Sequence, residues 1–189
     1  MRAAIEVGRR LRQDCDAPLV LFGYMNPVAV RGEREVVRAV AGAGIDAMLL
    51  VDLPPEEGQE LREEARALGV AIIPLLTPTS ESSRVDAVRK VAGGFVYYVS
   101  VTGVTGVSSG EERARYLEAA AAAAGVRRQL DLPVVVGFGI DSAEKACLAC
   151  GLGQLDAGAD GVVVGSAIVR AIEGCADDHP AAVRAASST

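Results

Sequence analysis

Short runs of aliphatic and β-branched residues recur along this chain, and each is followed by a stretch of helical character. One strand-plus-helix unit takes about 25–35 residues. The runs lie at 17–27 ("APLVLFGYMNP", a strand and loop), 46–57 ("DAMLLVDLPPEE"), 70–76 ("VAIIPLL"), 95–101 ("FVYYVSV"), 133–138 and 161–165. Continuous apolar runs predict strands buried on both faces. Helices are predicted at 2–13, with Ile5, Val7 and Leu11 as apolar positions, at 33–44, at 56–69 opened by Pro54–Pro55, in 77–94, at 111–124, and after each of the last two strands. Strands separated by helices are parallel, because a parallel pair needs a crossover. The pattern fits either a doubly wound sheet or a (β/α)8 barrel. A closed barrel takes eight units and about 250 residues. Six units in 189 residues therefore predict an open sheet, or a barrel lacking its first two strands.

Composition agrees with this class and excludes others. Half the residues are hydrophobic, yet only 4% are aromatic. A net charge of −6 argues against a nucleic-acid or anionic-membrane partner. No apolar run is long enough for a membrane span. The first residues, "MRAAIEVGRRLRQDCDAP", have no apolar signal core, which predicts a cytoplasmic chain with Cys15, Cys147, Cys150 and Cys175 reduced. Cys147 and Cys150 read as a coincidental helical pair, since zinc would need two more ligands and only Cys175 and His179 lie downstream. No metal site is expected.

The glycines suggest chemistry. Gly137 and Gly139 end one predicted strand; Gly165 and Ser166 end the next, with Ser166 expected as an N-cap. Thr105–Gly106 follow the "FVYYVSV" strand. In parallel α/β folds ligands bind at the strand C-termini, where glycine lets backbone N–H groups approach a phosphate and a helix dipole favours its charge. Three successive strand ends of this kind predict a phosphate cup. The alternative is that the glycines only make tight turns.

The segments "FGYMNPV", "LLVDLPPEE", "YYVSVTGVTG", "VVGFGI" and "GADGVVVGSAIV" together resemble the α subunit of tryptophan synthase, in order and over nearly the whole chain. The resemblance implies a (β/α)8 TIM-barrel fold, here incomplete. It implies aldol cleavage of indole-3-glycerol phosphate to indole and glyceraldehyde 3-phosphate. It also implies a β-subunit partner in an α2β2 heterotetramer; pyridoxal phosphate belongs to that partner, and this chain needs no cofactor. By matched position, Gly137, Gly139, Gly165 and Ser166 look like the phosphate site, and Thr105 and Gly106 like the substrate-closing loop. Tyr24 and Tyr97 look like the family's substrate-site tyrosines. Phe22, Leu49, Val51, Leu75 and Phe138 fall where indole-pocket residues lie. Asp52 matches an aspartate that couples the subunits, and "MNPV" and "DLPPEE" match loops facing the β subunit.

The family's two catalytic carboxylates lie on its first two strands, and no matching stretch occurs here. Cleavage by this chain alone is therefore expected to be weak or absent. Six strands in an open sheet would leave edges unpaired and predict marginal stability. The stretch 141–157 is longer than the family's usual helix and is interrupted by Gly151 and Gly153. Two other readings stay open: a non-catalytic fragment that binds a phosphate ligand or a partner, and a different phosphate-binding barrel isomerase or synthase.

Overall fold

The structure, a computed structural model, describes residues 1–80, 82–99, 109–137, 139–151 and 158–174. They form two compact units: Met1–Leu76 with Ser80–Val96, and Thr77–Thr79 with Tyr97–Thr189. Thr105, Gly106, Phe138, Cys175 and His179 lie outside the described residues.

The first unit runs α1 (Arg2–Asp14), β1 (Val20–Gly23), α2 (Asn26–Arg31), α3 (Glu33–Gly42), β2 (Ala47–Leu50), α4 (Gln59–Ala67), β3 (Ala71–Ile73), β4 (Leu75–Leu76) and α5 (Ser82–Val91). Strands β1, β2 and β3 pair in that order, both pairs parallel. Leu21, Met48, Leu50 and Ile72 pack with Ile5 of α1, Val28 of α2, Val36, Val37 and Val40 of α3, and Leu61 of α4. Burying each such side chain stabilises the fold by about 1.5–3 kcal/mol.

Several boundaries differ from the sequence expectations. "VAIIPLL" is two strands, because Pro74 has no N–H to give the ladder. The loop expected near Pro27 is helix α2, with the proline in its first turn, where a missing N–H costs nothing. Pro54–Pro55 do not open α4; they form a turn, and the helix starts at Gln59. In α1 only Ile5 of the expected apolar set is buried. Gly8, three residues on, takes the same face against the Ile45 side chain, which leaves Val7 and Leu11 exposed. Strand β1 is not buried on both faces: Leu21 is buried, while Val20 and Phe22 are exposed. It is an outer strand of its sheet, so only the helix-covered face is packed. Strand β2, in the middle, is buried throughout.

The second unit holds β5 (Val96–Val99, its first residue assigned to the first unit), α6 (Ser109–Leu130), β6 (Val134–Gly137), α7 (Ala143–Ala149), β7 (Gly161–Val163) and α8 (Ser166–Glu173). Strands β5, β6 and β7 are neighbours in that order, and β6 and β7 are parallel. Helix α6 is longer than its alanine run suggested. It buries Tyr116, Ala119, Ala120, Ala123 and Ala124, and the small alanines permit close packing.

One device occurs in each unit. Asp46, just before β2, accepts the Leu19 N–H at 2.7 Å and Arg12 of α1 at 2.6 Å. Asp160, just before β7, accepts the Val134 N–H at 2.8 Å and Arg127 of α6 at 2.9 Å. In both, the aspartate's own N–H donates to the carbonyl of the same residue whose N–H it accepts, Leu19 just before β1 or Val134 at the start of β6. Each aspartate thus joins two adjacent strand starts to the helix that precedes the first of them.

Candidate functional site

In the second unit the β6–β7 register places Gly137 opposite Val163. Gly139 and Gly165 each lie two residues beyond that pair, so the turns that follow the two strands emerge side by side. Helix α8 begins at Ser166, three residues past Val163. Its N-cap is Gly165, and Ser166 is the first helical residue, which corrects the expected serine cap. The cap therefore has no side chain. Among the described residues none caps this end, and no acidic residue stands in its first turn. First-turn N–H groups have no acceptor within their own helix, so this terminus offers several donors and the positive end of a dipole. Helix α7 differs: Ser142 accepts the Lys145 N–H at 3.3 Å, and Glu144 occupies the first turn.

Gly139 has φ +70°, a conformation side chains rarely adopt. Its carbonyl accepts the Tyr116 hydroxyl of α6 at 2.8 Å. Lys145 bridges Glu112 and Asp141, each at 2.9 Å, tying the start of α7 to α6; these hydrogen bonds, Glu112 first, raise its pKa. Gly137 is required by a close approach: a Cβ there would land on the Tyr97 ring. Tyr97 and Tyr98 point to opposite sides of β5, and both are buried, which raises both phenol pKa values.

The other expected contact residues lie in the first unit. Register aligns Phe22 of β1 with Leu49 of β2 and Leu49 with Ile73 of β3, so the three share one sheet face. That face is opposite Leu21, Met48 and Ile72. Phe22 is 54% exposed and Tyr24, just past the strand end, is 62% exposed; Leu49 is buried, and Val51 and Leu75 are half-buried. Asp52 Oδ1 accepts the Met25 N–H at 2.6 Å, joining the loop after β2 to the start of α2. A surface groove of about 640 Å³ lies between the first turns of α3 and α4, lined by Glu33, Glu35 and Glu60 among others. Arg34 also lines it and pairs with Glu60 at 3.8 Å, and the groove contains none of the expected residues.

Cys147 and Cys150, at the end of α7, are free thiols; burial, first, raises the Cys150 pKa. No group of side chains among the described residues could hold a metal ion, and no helix among them is long and apolar enough to cross a membrane. Sequence reasoning missed Tyr116, Asp46, Asp160 and the buried Arg62. The aspartates had a signal, the repeated Ala-Gly-x-Asp of "AGID" and "AGAD". Tyr116 had none, as one aromatic in an alanine-rich helix.

The family model described as tryptophan synthase alpha chain matches residues 1–189. The tryptophan synthase alpha chain of Geobacter sulfurreducens is 47% identical over 169 residues, 89% of this chain and 60% of that protein. That of Halorhodospira halophila is 46% identical over 185 residues, 95% of this chain and 63% of that protein. The chain thus spans about 60% of the length of the curated relatives it matches. Among solved structures, the tryptophan synthase alpha chain from Legionella pneumophila covers 97% of this chain and 64% of its own, with TM-score 0.77 and 30% identity. A structure of the tryptophan synthase α2β2 complex from Pyrococcus furiosus covers 98% of this chain and 71% of its own, with TM-score 0.79 and 31% identity. The fold class is α/β of the (β/α)8-barrel type, with an incomplete set of strands among the described residues. Matched along its whole length in sequence and over nearly all of it in structure, the chain belongs to the tryptophan synthase alpha chain family.

Proposed function

We propose that these residues form the phosphate- and indole-contacting part of a lyase that cleaves indole-3-glycerol phosphate to indole and glyceraldehyde 3-phosphate, a step of tryptophan biosynthesis in the cytoplasm. The observation that carries this reading is the uncapped N-terminus of α8 beside the Gly139 turn. The phosphate takes the first-turn N–H groups of α8 and the backbone around Gly165 and Ser166, with Thr105 and Gly106 as the closing loop. By the family resemblance, Phe22, Leu49, Val51 and Leu75 of the first unit serve the indole together with Tyr24, and Phe138 and Tyr97 keep the substrate-binding role that the resemblance implies for them. Asp52 and the loops at 24–27 and 52–58 meet a β subunit; the Pyrococcus furiosus relative is titled as part of an α2β2 complex.

Cleavage breaks the bond between indole carbon 3 and the glycerol chain. Carbon 3 gains a proton, and the adjacent glycerol hydroxyl loses one as it becomes the aldehyde. A positioned acid or base contributes about 10²–10⁴-fold at each transfer. No residue of this chain is assigned to either transfer. Asp52 is committed to the Met25 amide and serves the loop rather than the chemistry. The 189 residues by themselves are therefore expected to bind substrate phosphate and to turn over slowly or not at all.

The test is indole release from indole-3-glycerol phosphate by the purified chain, with and without a tryptophan synthase β subunit, alongside binding of glycerol 3-phosphate. Saturable phosphate binding lost in Gly165→Asp, with little indole formed, supports the reading. Unchanged binding in that variant overturns the phosphate site. Turnover like that of a full-length relative overturns the expectation that these residues lack the acid and base.

A further inference from the structure

Arg62 is the one buried charged residue among the described residues, 8% exposed. It lies near the start of α4, where its N–H donates to the Gly58 carbonyl at 2.9 Å. Its guanidinium fills the inside of the 52–58 loop. Nη2 donates to the Pro54 carbonyl and Nε to the Glu57 carbonyl, both at 3.1 Å. These carbonyls belong to the two ends of one turn, closed by the Glu57 N–H on the Pro54 carbonyl at 3.1 Å. Nη1 has no hydrogen-bond partner among the described residues.

As a stabiliser this is a poor choice. Burying a guanidinium is costly, neither acceptor is a carboxylate, and one donor is unsatisfied. An apolar side chain of similar volume would fill the space without that cost. As a holder it is a good one: the planar fork fixes two carbonyls relative to each other. The backbone it holds is already stiff. Pro54 and Pro55 fix two φ angles and restrict Leu53, and Leu53 packs against Gly58. Two residues upstream of the Pro54 carbonyl is Asp52, which accepts the Met25 N–H.

We infer that Arg62 is a positioning residue: by pinning the Pro54 and Glu57 carbonyls it sets where Asp52 meets the Met25 amide, and so shapes the joint surface of the 24–27 and 52–58 loops on which a β subunit docks. The docking half rests on the function proposed above; the link from Arg62 to Met25 does not.

The test is amide hydrogen exchange by NMR on the whole chain, comparing wild type, Arg62→Met, Arg62→Lys and Asp52→Asn. Arg62→Met is expected to speed exchange at Met25 about ten-fold or more while the Leu49 and Leu50 amides stay within about two-fold, since only local opening is affected. Arg62→Lys keeps the charge but not the fork and is expected not to restore Met25. Asp52→Asn is expected to release Met25 with Arg62 in place. Unchanged Met25 exchange in Arg62→Met overturns the inference, as does equal acceleration of Met25 and the β2 amides. Should Arg62→Met not fold, full Met25 protection in Arg62→Lys overturns it instead. Titration against a β subunit reads the docking half. Weaker binding by Arg62→Met supports it, and equal binding by both proteins overturns it. A wild type that does not bind at all overturns the proposed partner and leaves the exchange result standing.

Discussion

The Tyr116 hydroxyl donates to the Gly139 carbonyl at 2.8 Å, linking a side chain that is 2% exposed to the turn after β6. Tyr116→Phe keeps the ring and removes the donor. It should lower unfolding free energy by about 1 kcal/mol, read from urea denaturation. It should also weaken glycerol 3-phosphate binding several-fold, because the Gly139 turn loses its anchor. Unaltered binding at reduced stability would separate that turn from the ligand.

Gly137 and Tyr97 share one space. Gly137→Ala should destabilise the chain by about 1–3 kcal/mol through overpacking. Tyr97→Ala should cost about 3–5 kcal/mol by the cavity it leaves. The double variant should lose less than the two costs added, with a coupling of about 0.5–3 kcal/mol, as expected for groups in contact. Additive losses in the double-mutant cycle would show that the two residues do not meet.

Asp160 is placed to make acid stability measurable. Burial disfavours its charge, but the Val134 N–H and Arg127 outweigh that, and its pKa lies below the ordinary value. A carboxyl with a depressed folded-state pKa contributes stability above its unfolded value of about 3.9 and loses it as pH falls through the folded-state value. Urea midpoints should therefore fall with pH below about 4 in wild type, and fall less steeply in Asp160→Asn. The difference should be modest, because the side chain is part-exposed and water screens it.

The two faces of β1 should respond differently. Leu21→Ala removes a side chain packed against Val28 and its neighbours and should cost about 2–5 kcal/mol. Phe22→Ala, one residue on and on the exposed face, should cost under about 1 kcal/mol while weakening binding of an indole-bearing ligand. A large stability loss in Phe22→Ala would make Phe22 a packing residue.

The alternation of apolar runs with helical stretches determined, by itself, the parallel α/β class, because period and length are local properties of the chain. It also placed Gly137, Gly139 and Gly165 at strand ends, since glycine after a β-branched run marks a turn wherever it occurs. Other features depend on residues far apart in sequence. The exposure of Phe22 follows from β1 being an outer strand, which no local pattern encodes. The open end of α8 follows from Gly165, not Ser166, being its cap, a difference of one residue that depends on where the helix begins. Arg62 carries no local mark of burial; its place follows from the preceding loop, whose Pro54 and Glu57 carbonyls fold back onto its guanidinium. Sequence settled the alternation of strands and helices and the glycine turns after β6 and β7, but not helix α2, the break at Pro74 or the start of α4. Tertiary packing decided which faces are covered and which polar groups meet, because burial and register are set by neighbours the sequence does not place side by side.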